Sequence, residues 1–134
     1  MLRGLYKLVV PVVVIASLGG CGTLASGENR RQEKPDVVIR AGKVYEECLE
    51  VNPPQVLEYS FSASKPLEFN IHYHGDKAVY PVRGQAVSRW QGTFDPTCIR
   101  EYSSEKPPFF CLMWTNPHDE EVGLNFDFTV RDKE

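Results

Sequence analysis

No stretch of this chain is both long and apolar enough to read as a membrane span. The hydrophobic run Leu8–Leu18 is broken by Pro11 and Ser17 and stops at Gly19-Gly20. That is well short of the roughly 20 predominantly apolar residues a helix needs to cross hydrocarbon. Basic clusters are scarce as well. The formal net charge is −3, and the one basic doublet, Arg30-Arg31, sits in a polar stretch. This balance excludes a general nucleic-acid or anionic-lipid binding face, because both need clustered Lys and Arg. Catalytic signatures are missing too. Ser60, Ser62 and Ser88 have no nucleophile-elbow context, and there is no Gly-rich phosphate loop. The one dense acidic run, Asp119-Glu120-Glu121, has nothing apolar around it to push carboxyl pKa values apart. It reads as a solvated hairpin tip, and no enzyme is expected.

What is present begins at the N-terminus. Met1–Lys7 contains Arg3 and Lys7 and no acid, the short apolar run follows, and small residues precede Cys21. A basic segment, a short apolar core and small residues before a cut point describe an export signal. Leu18-Gly19-Gly20-Cys21 resembles the lipobox of bacterial lipoproteins. The resemblance implies cleavage before Cys21, a diacylglyceryl thioether on its sulfur and often an acylated amine; an ordinary cleaved signal peptide is the remaining reading. Each buried methylene adds roughly 0.8 kcal/mol, so two or three chains hold a protein at a membrane almost permanently. Gly22 is unlike the Asp that usually marks inner-membrane retention, so the expected place is the outer membrane, facing the periplasm. Residues 21–35, after the signal at 1–20, are small, polar and charged with a single Leu, and read as a flexible tether. Its reach is on the order of 20 Å.

Residues 36–134 then make one domain. Strand signals dominate it. Leu57, Tyr59 and Phe61 alternate with polar residues, as do Leu67, Phe69, Ile71 and Tyr73, and Val122 through Val130 alternate most clearly. Further strands are expected at Val37–Arg40, Lys43–Val51, Ala78–Val82, Ala86–Thr93 and Phe109–Thr115. Turn signals separate them at Asn52-Pro53-Pro54, Ser64-Lys65-Pro66, Gly75-Asp76, Arg83-Gly84, Asp95-Pro96 and Asn116-Pro117. About eight short strands without a convincing amphipathic helix or internal repeat predict an all-β antiparallel sandwich or jelly roll.

Three cysteines remain after Cys21. An exported domain favours a disulfide, and three single pairs are open. Cys48–Cys111 closes a long loop worth roughly 4 kcal/mol in the chain-entropy model. Cys98–Cys111 closes a much shorter one, and reduced thiols are the third outcome.

The order of LEYSFSAS, PLEFNIHYH, GDKAVYPV, GTF, FFCLMWTN and VGLNFDFTV resembles the GOLD-type β-sandwich of early secretory cargo receptors and of some bacterial secreted proteins. That family has a strand of cysteine, two apolar residues, an aromatic, a small residue and Asn before the last strand. Cys111, Leu112, Met113, Trp114, Thr115 and Asn116 match it over a resemblance spanning roughly Lys43 to Val130. It implies that Cys48 pairs with Cys111. The coiled coil and C-terminal membrane helix of the cargo receptors are not in this sequence, so their trafficking role does not transfer.

Two surface candidates stand out. His72 and His74, two apart on a strand, face one side about 6.5–7 Å apart and could form half of a zinc or copper site. His118 is a third ligand if its loop folds back, and Cys98 and Met113 are soft alternatives. The competing view is that both are ordinary polar residues of the solvent row, with no cofactor. Aromatics are the other excess. Trp90, flanked by Ser88, Arg89 and Gln91, joins His72 and His74 as a candidate ligand or partner surface, whereas Trp114 is expected in the core. Together these features predict a membrane-tethered, noncatalytic module that binds an envelope protein or small ligand, with metal handling at His72 and His74 as the alternative.

Overall fold

Alternation carries the strands further than the turn residues suggest. The computed structural model describes residues 31–75, 77–99 and 109–134. Its strands are β1 (Gln32–Ile39), β2 (Val44–Glu50), β3 (Gln55–His74), β4 (Ala78–Phe94), β5 (Phe109–Thr115) and β6 (Val122–Asp132). A 3-10 turn at Pro96–Cys98 follows β4. Every pairing among the described residues is antiparallel. The fold is the all-β sandwich that the alternation implies.

Four of the expected short strands are joined in pairs. Ser64-Lys65-Pro66 does not turn the chain; β3 runs through it. The register with β4 shifts there, between Ser62 and Leu67. Proline is tolerated because the hydrogen-bond ladder is already interrupted. Arg83-Gly84 likewise lies inside β4. The neighbouring shift places an extra residue on β4 between Gly84 and Val87, where Ala86 takes a φ of 52°, the signature of a bulge.

These irregularities fold one long hairpin into two layers. The first half of β3 pairs with β6 through Gln55–Ala63 and with β4 through Leu57–Ser62. The second half pairs with β5 through Glu68–Tyr73 and with the start of β4. One layer is therefore β1-β6-β3-β4, the other β2-β5-β3-β4, and β3 and β4 run through both. Trp114 of β5 fills the space between the layers, fully buried. Its ring lies 5.6 Å from Phe61 and 4.6 Å from Phe126 in the opposite layer. Core placement of Trp114 thus agrees with the sequence reading.

Asn116, part of an expected turn, is instead a buried hub. Its side-chain amide donates to the carbonyls of Ile39, Arg40 and Glu120, and its Oδ1 accepts from the His118 amide. It ties the β5–β6 hairpin to the end of β1.

The start of the domain needs correction. β1 begins at Gln32, so Gln32–Lys34, expected within the tether, are paired with Phe128, Asp127 and Phe126 of β6. A bulge follows at Pro35-Asp36, where Asp36 has a φ of 58° and its N–H donates to Asn125 Oδ1. The expected signal, Cys21 and the tether up to Arg30 lie outside the described residues.

Candidate functional site

Period-two alternation on β3 sends Phe69, Ile71 and Tyr73 into the core and Asn70, His72 and His74 to the outer face of the β2-β5-β3-β4 layer. Cross-strand register then sets their neighbours. Cys48, Cys111 and His72 lie in one row across β2, β5 and β3, and Glu46, Met113 and Asn70 lie in the next. Cys48 and Cys111 are bonded in a disulfide, the pairing the GOLD-like resemblance implied. Cys98 is a free, exposed thiol.

His72 is on the outer row yet only 3% exposed. Cys111 flanks it on one side, and the Tyr80 ring lies 5.5 Å from it. Arg83 in turn places its guanidinium 4.5 Å above Tyr80. His72 Nδ1 is 2.8 Å from Asn70 Oδ1, which accepts only, so Nδ1 holds a proton. Its Nε2 is 2.9 Å from His74 Nε2 and 3.0 Å from Glu46 Oε1. Burial pushes the His72 pKa below the ordinary imidazole value, and His74 adds to this; Glu46 opposes it without prevailing. In its neutral form the ring turns a lone pair on Nε2 toward an imidazole nitrogen and a carboxylate oxygen; protonated, it donates there to Glu46.

His118 does not join this group. Its Nε2 is 2.7 Å from the Pro66 carbonyl, on the β5–β6 hairpin, and the ligating atoms that converge are those of Glu46, His72, His74 and Cys111, within 4.8 Å of one another. The Cys111 sulfur is already committed to Cys48. Trp90 is not on the histidine face; it lies in the other layer, partly buried, among the residues that line a trough there. It pairs in register with Phe61, with its ring 6.0 Å from Phe69. Burial raises the pKa of the Tyr59 hydroxyl, and the neighbouring Trp90 indole lowers it. The acidic run 119–121 is exposed, as expected, with Glu120 paired to Lys65.

A second concavity lies on the outer face of the other layer. Register aligns Glu33, Asp127, Ser60 and Gln91 across four strands, with Asn125, Ser62 and Arg89 in the adjoining row. Together with Lys34 they line an open trough of about 500 Å³. Asp127 accepts from Ser60 Oγ at 2.6 Å and pairs with Arg31 at 3.0 Å.

No protein-family model and no curated relative matches the chain. Among solved structures, a periplasmic lysozyme inhibitor of g-type lysozyme from Aeromonas hydrophila is similar at a TM-score of 0.51 and 10% identity, over 79% of this chain and 89% of that one. The likeness is one of fold. A de novo designed double-stranded β-helix matches at 0.37 and 20% identity (76% and 99% covered), and a carbohydrate-binding module (CBM4) at 0.43 and 13% (73% and 82%).

Sequence reasoning found both histidines and missed Glu46 and Asn70. Asn70 was within reach, because it shares the outward row of β3. Glu46 was not, because only the pairing order β2-β5-β3 brings it alongside.

Proposed function

We propose that this chain is a noncatalytic, lipid-anchored binding module of the cell envelope, attached through Cys21 and facing the periplasm. Its binding face is the trough across β1, β6, β3 and β4. The trough is the observation that supports the reading: Ser60, Ser62, Asn125 and Gln91 offer donors and acceptors, flanked by charges of both signs at Arg89, Glu33 and Asp127. A four-stranded sheet holds them at fixed spacing, which spares a ligand most of the ordering cost of binding. Pro35, Phe61, Trp90 and Phe126 also line the trough, so it suits a segment of an envelope protein or a small ligand that offers both polar groups and an apolar or ring face. A periplasmic inhibitor of g-type lysozyme has a similar fold, so that enzyme is the first purified partner to assay.

The test uses the full chain in its native envelope. A photocrosslinking side chain at Gln91 is expected to give one discrete adduct, lost when Ser62→Trp fills the trough. An adduct indifferent to Ser62→Trp overturns the binding face. Radiolabelled palmitate is expected to enter the wild type and not Cys21→Ser; unchanged membrane fractionation of Cys21→Ser overturns the anchor.

A further inference from the structure

The group on the opposite layer has a different chemistry from the trough. Three potential ligand atoms, His72 Nε2, His74 Nε2 and Glu46 Oε1, face a common point from two strands that are not neighbours. The His72 contacts to the other two measure 2.9 and 3.0 Å. A hydrogen-bond reading accounts for only part of this. With the Nδ1 proton given to Asn70, one proton on His74 Nε2 can serve the His72 lone pair. A proton on His72 Nε2 would instead serve Glu46 and leave the His74 nitrogen beside it. A shared cation satisfies all three at once.

We propose that Glu46, His72 and His74 bind one divalent late transition-metal ion, zinc(II) or copper(II), on the outer face of the β2-β5-β3-β4 layer. Two imidazoles and a carboxylate are a donor set of the kind that zinc takes where one position stays open, and imidazole suits copper equally. The size of the cluster fits. Bonds near 2.0–2.1 Å in a tetrahedral site put ligand atoms about 3.3 Å apart, so contacts of 2.9 and 3.0 Å need to open by a few tenths of an ångström. His74 and Glu46 are exposed and free to give that; His72 is the buried, fixed member.

The surroundings match those of a ligating histidine. The Asn70 carbonyl oxygen on Nδ1 selects the tautomer that leaves Nε2 free, the commonest arrangement behind a metal-bound imidazole. Tyr80 and the disulfide wall in the ring, holding its plane. Because the disulfide occupies the Cys111 sulfur, three protein ligands remain and the fourth position is left to water or to a group from a partner.

The test is a competition titration of the full chain against a chromophoric chelator, with zinc(II), copper(II) and, as the reference for nonspecific carboxylate binding, magnesium. Expected is one equivalent of zinc or copper bound, weakened at least tenfold by His74→Ala and by Glu46→Gln. Asn70→Ala is expected to weaken it about 10–100-fold without removing a ligand, and His118→Ala to leave it unchanged. His74 and Glu46 are exposed, so these variants test the site even if His72→Ala does not fold. Circular dichroism of each variant verifies the fold. Binding no tighter than magnesium, or equal zinc and copper binding by His74→Ala and the wild type, overturns the proposal. Neither result touches the trough, whose crosslinks are read separately.

Discussion

Single residues in this domain act through their position in the register. Gly92 faces Tyr59 across the β3–β4 pair, and a Cβ placed there would lie 2.6 Å from the Tyr59 hydroxyl and 2.8 Å from its ring. The ring cannot swing away, because Tyr59 is buried and its ring packs 5.6 Å from that of Phe69. Gly92→Ala is therefore expected to destabilise the protein by about 1–3 kcal/mol, the usual cost of overpacking, measured as a lower urea midpoint with a shifted Trp90 emission. Asp95 shows the other kind of residue effect. Lys133, and after it Thr97, hold its carboxyl below the ordinary carboxylate range. A folded-state pKa below the unfolded one means that this contribution is present above about pH 4 and is lost as the pH falls through the depressed value. The pair is partly exposed, so the contribution is well under 1 kcal/mol. An NMR titration is expected to show the Asp95 pKa rising in Lys133→Ala; an unchanged value would remove the lysine from the explanation.

At the scale of elements, β2 depends most on a covalent bond. Among the described residues it is an edge strand paired only with β5, and four of its seven residues are exposed. The Cys48–Cys111 disulfide spans 63 residues of chain, so the chain-entropy model gives about 4 kcal/mol to its closure. Reduction is expected to lower stability by about 2–4 kcal/mol, read from urea unfolding with and without a dithiol. Loss confined to well under 1 kcal/mol would show that strand pairing alone holds β2. The same element illustrates why the candidate site was half legible. His72 and His74 follow from alternation within one strand. Glu46 belongs to another strand whose neighbours are set by topology, and nothing in the local pattern of VYEECLE marks its first glutamate as facing a histidine. His118 failed for the complementary reason: its turn is held by Asn116 and Pro66, away from the cluster.

For the molecule as a whole, β3 and β4 belong to both layers, so neither layer can open without breaking strands of the other. Thermal unfolding is expected to be a single transition, with tryptophan fluorescence and far-ultraviolet circular dichroism coinciding. Two separated transitions would mean that the bend at Ser64–Pro66 behaves as a joint between independent halves. The same continuity sets two different surfaces back to back: a polar trough on the outside of one layer and a converging His–His–Glu group on the outside of the other.

The all-β class, the inward rows, the core place of Trp114 and the outward direction of His72 and His74 were determined by sequence alone, because period two is a local property of extended chain. The disulfide partner came from resemblance. What only the tertiary structure decided was continuity and adjacency: that proline and glycine signals bend long strands here instead of ending them, that Gln32–Lys34 join the sheet, that Trp90 lies by the trough and not beside the histidines, and that Glu46 meets His72. Those outcomes depend on which strands pair and in what register, and such energies come from contacts between residues far apart in the chain.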